Sequence, residues 1–232
     1  MSGVTFLNLA LQIPGMEGPD LTVTEWMVQI WEDGGFMMWP LGAALAIGIG
    51  VIIWKLIDLS ITSSRTKKVL REVDERLAAR DVKGAMEAAR ESDTPAGQIL
   101  LAGLERHDEG SERVMKAIEN VGLIQMAGLE NGLVWIATIA NVAPLLGFLG
   151  TVIGMIQAFQ NIEAAGEVEA TLVAGGIKVA LITTASGLAI AIPMNIMHNY
   201  FVTKVDRLVI DMEESAQKMI DTLQEIEAGA TA

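Results

Sequence analysis

Three threonines, Thr151, Thr183 and Thr184, are the residues of this chain whose type and position could do chemistry. Thr151 lies in a stretch without charged residues from 131 to 162, and the other two lie in a second, largely apolar stretch from 172 to 203. Each stretch is long enough to cross a bilayer as a helix. Counted inward from the predicted outer ends of these spans, Thr151 and Thr184 both lie roughly 15 to 18 Å deep. Hydroxyls at matched depth near the bilayer centre can serve a carboxylate as hydrogen-bond partners or a cation as oxygen ligands.

A purely structural role for these threonines stays open at this point. Serine and threonine in membrane helices commonly donate to the backbone carbonyl three or four residues earlier and do nothing else. No acidic residue lies within either stretch. A carboxylate inside the membrane would therefore have to come from another chain.

Small residues recur at helical spacing along one face of each span. They predict close helix packing, because a neighbouring backbone can approach such a face. We expect these stripes to line a closed ring of identical chains, since a lone three-helix unit would leave them facing lipid. The two prolines have the alternative role of kinking their helices. The predicted packing residues are Ala143, Pro144, Gly147, Gly150, Gly154, Gly187, Ala191 and Pro193. Farther along the same face of the last span, Asn195 and His198 form a candidate inner exit.

Composition and charge support a membrane protein. Apolar residues make up 51% of the chain, and the net charge is −13. None of the 16 basic residues precedes Lys55, and nine lie between Lys55 and Arg90. Because basic residues mark the cytoplasmic side, the N-terminus is predicted outside and the C-terminus inside. The chain has no cysteine, and its basic residues form no patch that suits a nucleic acid.

The predicted fold is an all-α integral membrane protein with three transmembrane helices, of which the second and third are long and extend into the cytoplasm. Residues 21–31 are read either as an amphipathic helix on the outer membrane surface or as an apolar lead-in to the first span. Ser111 is a candidate cap of a helix that runs into the second span. The apolar face of the C-terminal helix is expected to pack on the chain's own cytoplasmic domain rather than only on other subunits.

The predicted segments are a periplasmic N-terminal segment (1–35), transmembrane helix 1 (36–58), a cytoplasmic helical domain (59–128), transmembrane helix 2 (129–162), a periplasmic turn (163–171), transmembrane helix 3 (172–203) and a cytoplasmic C-terminal helix (204–232).

Two segments of the chain carry a family resemblance. Residues 143–152 (APLLGFLGTV) and 180–193 (ALITTASGLAIAIP) closely resemble the signature segments of the MotA/TolQ/ExbB proton-channel family. The length and the three-span layout resemble the ExbB and TolQ branch. The resemblance implies a pentameric ring around helices of an ExbD- or TolR-like partner, whose intramembrane aspartate carries the ion. It also implies that Thr151 and Thr184 face the pore.

The function implied by this resemblance is that of a subunit of an ion-driven motor in the bacterial inner membrane. Such a motor couples flow of H⁺ or Na⁺ to transport or to envelope processes, with a TonB- or TolA-like protein as a further partner. The resemblance implies neither a cofactor nor an enzyme activity. The alternatives are a passive membrane scaffold and a motility or flagellar-type stator, a branch that has four spans.

The chain departs from the family pattern at two positions. Val179, preceded by Lys178, stands where the branch usually carries a glutamate. Lys178 is expected to reach the outer headgroups or to pair with an acid of the turn, Glu163, Glu167 or Glu169. Thr183 stands where alanine is common, and a third hydroxyl suits Na⁺ better than a proton. Thr151, Thr183 and Thr184 thus form a candidate transient Na⁺ site, although no firm metal site is predicted.

Overall fold

The computed structural model describes residues 22–166 and 169–230. Within these ranges every regular element is a helix, and three helices are long and apolar enough to cross a membrane. The predicted all-α fold with three spans is therefore confirmed. The membrane limits within these helices remain predictions, and the first 21 residues of the predicted N-terminal segment lie outside the described residues.

Helix α1 (Val23–Asp33) precedes the first span and is separated from it by a glycine turn. The Glu25 carboxylate accepts from the Thr22 backbone N–H at 2.9 Å, and the Thr22 hydroxyl accepts from the Glu25 backbone N–H at 3.4 Å. The bond from the Thr22 backbone is the main cause that lowers the pKa of the Glu25 carboxyl. Gly35 then turns the chain with a φ of +64°, which favours glycine. The structure thus makes α1 a separate helix, and its place on the membrane surface stays a prediction.

Helix α2 (Met38–Ala78) contains the first span and continues well beyond it. Its 41 residues extend about 60 Å, roughly twice the thickness of a bilayer core. Lys55, the first basic residue of the chain, is 1% exposed within this helix. Its ammonium group lies 3.3 Å from the Asp58 carboxylate and 5.4 Å from the centroid of the Trp54 ring. These partners make burial of the charge tolerable.

Three shorter helices complete the region between the first and second spans: α3 (Val82–Glu91), α4 (Pro95–Leu104) and α5 (Ser111–Glu130). The first two are capped by the preceding residues, Asp81 and Thr94. In each case a side-chain oxygen accepts a hydrogen bond from the backbone N–H three residues later, at 2.9 and 3.1 Å.

The prediction that Ser111 caps a helix running into the second span is wrong. Ser111 is the first residue of α5, and the capping position belongs to Gly110, which makes no side-chain hydrogen bond. Gly132, at a φ of +89°, separates α5 from helix α6 (Leu133–Ala165). A Cβ at Gly132 would also lie 2.8 Å from the Trp54 ring. The positive φ and the close approach of Trp54 both favour glycine at the break between the two helices.

Helix α7 (Ala170–Ala230) has 61 residues and extends about 90 Å, so it contains the third span and a long extension. The extension packs on α2, α4 and α5 of the same chain. Met219 packs against Gly103 of α4 so closely that a Cβ built on this glycine would lie 2.5 Å from the Met219 methyl group. The Lys218 ammonium lies 2.5 Å from the Asp74 carboxylate of α2. Its buried apolar residues are Val205, Leu208, Met212, Ala216, Met219, Ile220 and Leu223. The apolar face of the α7 extension is therefore covered by other helices of the same chain.

Candidate functional site

Helices α6 and α7 pack antiparallel through a line of mostly small residues, which we call the seam. Its members are Ala143, Gly147, Gly150 and Gly154 of α6 and Gly176, Thr183 and Gly187 of α7. At one point Gly187 faces Ala143, where a Cβ on the glycine would lie 2.6 Å from the Ala143 carbonyl oxygen. Farther out Gly154 faces Gly176, where a Cβ would lie 2.9 Å from the Gly176 carbonyl oxygen. No side chain fits between the two backbones at these points, so the small residues are required for the contact.

The seam overturns the argument by which the sequence predicted a ring. Gly147, Gly150 and Gly187 are buried in a single chain, between its own α6 and α7. A lone three-helix unit therefore does not leave them facing lipid. The small residues are explained by the fold of the protomer, and any ring must be closed by other surfaces.

Pro144 and Pro193 both lie inside uninterrupted helices. A proline cannot donate to the carbonyl four residues earlier, which leaves those acceptors without their usual partner. Pro144 is half-buried, whereas Pro193 is exposed. Ala191 is 7% exposed. Among the eight predicted packing residues, Pro193 is the one that is exposed.

Thr151 and Thr184 lie on the same flank of the seam. Each follows a seam residue by one position, Gly150 and Thr183 respectively, and is partly exposed. One residue is a rotation of about 100°, and in two antiparallel helices the same rotation leads to the same flank. The two side chains therefore lie on the same side of the helix pair.

The hydroxyls of these two threonines also lie near one depth. Thr184 donates across the seam to the Gly147 carbonyl at 3.3 Å, and Thr151 donates to the Phe148 carbonyl of its own helix at 2.6 Å. The two accepting carbonyls belong to consecutive residues of α6, Gly147 and Phe148, which are about 1.5 Å apart along the helix axis. Each hydroxyl oxygen can still accept a hydrogen bond or bind a cation.

Thr183 does not share this position. It is 0% exposed, and its hydroxyl donates to the carbonyls of Val179 and Ala180, both at 3.0 Å. Its side chain fills the space beside Gly150, where a Cβ would lie 2.5 Å from the Thr183 hydroxyl oxygen. The structure therefore does not bring the three predicted hydroxyls together. Thr183 points into the seam because it lies one residue, and so about 100°, away from Thr184.

At the end of the helix pair where α6 begins, the predicted exit residue His198 lines a cavity of about 380 Å³ between α6 and α7. Asn195, three residues earlier in α7, is exposed. The cavity also contains the carboxylates of Glu130 and Asp206, which the sequence analysis did not single out. Asp206 continues the 3–4 spacing of the Thr184 face and could have been found from it. Glu130 belongs to a different helix, so no local pattern identifies it.

At the opposite end of the helix pair, Lys178 pairs with Asp33 at the end of α1, with 2.6 Å between ammonium and carboxylate. The prediction that Lys178 pairs with Glu163 or Glu169 is therefore wrong, and Glu167 lies outside the described residues. The neighbouring Val179 is half-buried, and its side chain would lie 3.9 Å from a Cβ at Gly35. Val179, which stands where an acid was expected, thus lies next to the turn at Gly35.

The site offers hydroxyls but no anionic group. Residues 131–162 contain no charged residue, and Lys178 is the one charged residue from 172 to 203. Across residues 22–166 and 169–230, no group of three or more histidine, aspartate or glutamate side chains could hold a metal ion. A cation at the depth of Thr151 and Thr184 would require a carboxylate from another chain.

Comparison with known proteins gives consistent matches. The model of the MotA/TolQ/ExbB proton channel family matches residues 91–214. A biopolymer transport protein ExbB homolog of Methanothermobacter thermautotrophicus is 31% identical over 197 residues, which cover 83% of this chain and 68% of that protein. The biopolymer transport protein ExbB of Neisseria meningitidis serogroup A is 28% identical over 194 residues, covering 75% and 87% of the two chains. ExbB of Aquifex aeolicus is 42% identical over 78 residues, which cover 34% of this chain and 53% of that protein.

Proposed function

The chain belongs to the MotA/TolQ/ExbB proton channel family, and we propose that it is an ExbB/TolQ-like subunit of an ion-driven motor in the bacterial inner membrane. The family is one of channel and transport components rather than of enzymes. In the proposed mechanism a cation passes Thr151 and Thr184 while bound to a carboxylate of a partner helix. Passage of the cation moves the partner helix, and the partner transmits the work to transport or envelope processes.

The observation that carries this proposal is the flank shared by Thr151 and Thr184. Two partly exposed threonines border the seam on this flank, and each hydroxyl oxygen can still accept, in a region where the chain supplies no carboxylate. A single-span partner of the ExbD or TolR kind, with an aspartate inside the membrane, would complete such a site. The proposal includes a TonB- or TolA-like protein as the component that receives the work.

We propose that identical chains surround the partner helices as a pentamer, with the N-terminus in the periplasm and the C-terminus in the cytoplasm. The orientation rests on the basic residues, which begin at Lys55 and are concentrated in the region between the first two spans. The ring rests on family membership and on the need to enclose a partner that brings a buried charge. The seam residues no longer support it, because the protomer buries them.

We propose the proton as the coupling ion. Na⁺ was favoured by a third oxygen ligand at Thr183, and that hydroxyl is buried in the seam and donates to its own helix. A proton on a partner carboxylate needs no such shell of oxygens. Both hydroxyls donate to backbone carbonyls, so their oxygens can accept a hydrogen bond from the protonated carboxyl group of the partner.

The test is ion flux in proteoliposomes that contain the chain with an ExbD/TolR-like partner. Thr151→Val is expected to lower proton flux at least tenfold without changing assembly, because Thr151 bonds only to its own helix. Thr222→Val is the matched control, since Thr222 donates in the same way to the Lys218 carbonyl at 2.8 Å but lies on the extension. Native mass spectrometry of the complex measures the stoichiometry. Wild-type flux in the Thr151 variant, or loss of assembly as its main defect, would favour a passive scaffold.

A further inference from the structure

A polar groove lies between α2 and α7 just beyond the third span. It has a volume of about 590 Å³. Lys67 of α2 lines one side, and Lys204 and Arg207 of α7 line the other. The remaining lining residues are Ser63, Tyr200, Thr203, Leu208, Ile210 and Asp211.

The charge of this groove favours an anion. Three cationic side chains face one carboxylate, that of Asp211. Throughout the part of the chain that the structure describes, neither Lys67, Lys204 nor Arg207 forms an ion pair within 4.0 Å. The Lys204 ammonium lies 5.8 Å from the centroid of the Tyr200 ring, which holds it at the groove. The other basic residues of α7, Lys178 and Lys218, are both paired.

The groove meets the apolar surface of the spans. On α7, Ile196 lies eleven residues before Arg207, about three helical turns, so both are on one face. Ile196 is 63% exposed, and Ile192, one turn deeper, is 60% exposed. On α2, Ile53 lies fourteen residues before Lys67, about four turns, and is 53% exposed. A molecule seated among the cations would therefore have an open apolar surface next to it in the direction of the membrane.

We propose that this groove binds the phosphodiester headgroup of an anionic phospholipid in the cytoplasmic leaflet. The phosphate oxygens accept from the Lys67 and Lys204 ammonium groups and from the Arg207 guanidinium, and the acyl chains lie along Ile196 and Ile192. Asp211 accepts from a hydroxyl of a glycerol headgroup, which suits phosphatidylglycerol. Assignment to the cytoplasmic leaflet rests on the proposed orientation, whereas the binding itself does not depend on ion conduction.

The test measures retained lipid by native mass spectrometry of the full chain taken from phosphatidylglycerol or phosphatidylcholine nanodiscs. Each cation near an anionic lipid is expected to change the affinity about fivefold, so the double variant Lys204→Gln/Arg207→Gln should retain phosphatidylglycerol about 25-fold more weakly. The control Lys83→Gln/Lys116→Gln removes the same charge from exposed, unpaired sites elsewhere among the described residues. It should retain the lipid like the wild type. Lys204→Arg, which keeps the charge, should do the same.

Two outcomes would overturn the proposal. Equal retention of phosphatidylglycerol by the groove variant and its control would show that the cations form no lipid site. If inorganic phosphate displaced bound phosphatidylglycerol as effectively as added phosphatidylglycerol does, the groove would be assigned to soluble phosphate instead. Circular dichroism confirms that the variants are folded, and proton flux of the partner complex is measured separately. A failure of the lipid site is thereby distinguished from a failure of the proposed motor function.

Discussion

The hydroxyl oxygen of Thr184 lies 3.3 Å from the carbonyl oxygen of Gly147, across the seam between α6 and α7. The bond is possible because position 147 has no side chain: a Cβ there would lie 2.9 Å from the Thr183 carbonyl oxygen. One of the two hydroxyls proposed to serve the ion thus also joins the helices that carry the path. Substitutions at Thr184 are expected to affect both ion passage and the stability of the helix pair, and these two effects need separate measurements.

Thr184→Val is expected to lower proton flux at least tenfold, because it removes a hydroxyl from the proposed path while keeping the size of the side chain. Its cost in stability should be small, since an interhelical hydrogen bond in a membrane contributes about 0.6 kcal/mol on average. Flux in proteoliposomes and unfolding in mixed detergent measure the two effects. Thr184→Ser keeps the hydroxyl and should keep most of the flux. Equal losses in the valine and serine variants would point to packing rather than to the hydroxyl.

Thr183→Val is expected to be nearly silent for ion flux, both with and without Na⁺. The valine fills the same space beside Gly150, and the lost hydroxyl served only the Val179 and Ala180 carbonyls of its own helix. The measurement compares flux in Na⁺-containing and Na⁺-free media under the same proton gradient. A selective loss of Na⁺-dependent flux would restore Thr183 as an ion ligand.

Gly187→Ala is expected to destabilise the helix pair by about 1–3 kcal/mol, because the added methyl group meets a backbone atom that cannot move aside. That atom is the Ala143 carbonyl oxygen, 2.6 Å from the built Cβ. Gly175→Ala is the matched control on the same helix, where nothing lies within 4 Å of a Cβ. Unfolding of the two variants in mixed detergent is compared. Equal stability would mean that the seam is not as close as described.

Breaking the pair between Asp33 and Lys178 is expected to loosen α1 from the outer end of α7. Because Lys178 is 53% exposed, the pair should contribute no more than about 1 kcal/mol, and less at high salt. Lys178→Asp should raise the hydrogen exchange of α1 amides, and the reversed pair Asp33→Lys/Lys178→Asp should restore protection. Unchanged exchange in the single variant would show that other contacts hold α1, such as Trp31 against Gly42.

The sequence alone determined the features that depend on local composition and helical period. Hydropathy located the three helices that are long and apolar enough to cross a membrane. This prediction succeeded because hydrophobic length does not depend on distant parts of the chain. The matched membrane depth of Thr151 and Thr184, obtained by counting residues, stays a prediction. The motif segments were likewise sufficient to indicate the family.

Only the tertiary structure decided which groups meet. The small-residue faces pack on each other within one chain, Thr183 points into that seam, and Lys178 pairs with Asp33 rather than with Glu163 or Glu169. Gly132 interrupts the helix at a point where Trp54 approaches from a helix almost eighty positions earlier. A helical stripe defines which residues share a face but not what covers that face. That choice depends on contacts between residues far apart in the chain, where close backbone packing and pairing of charges outweigh local preference.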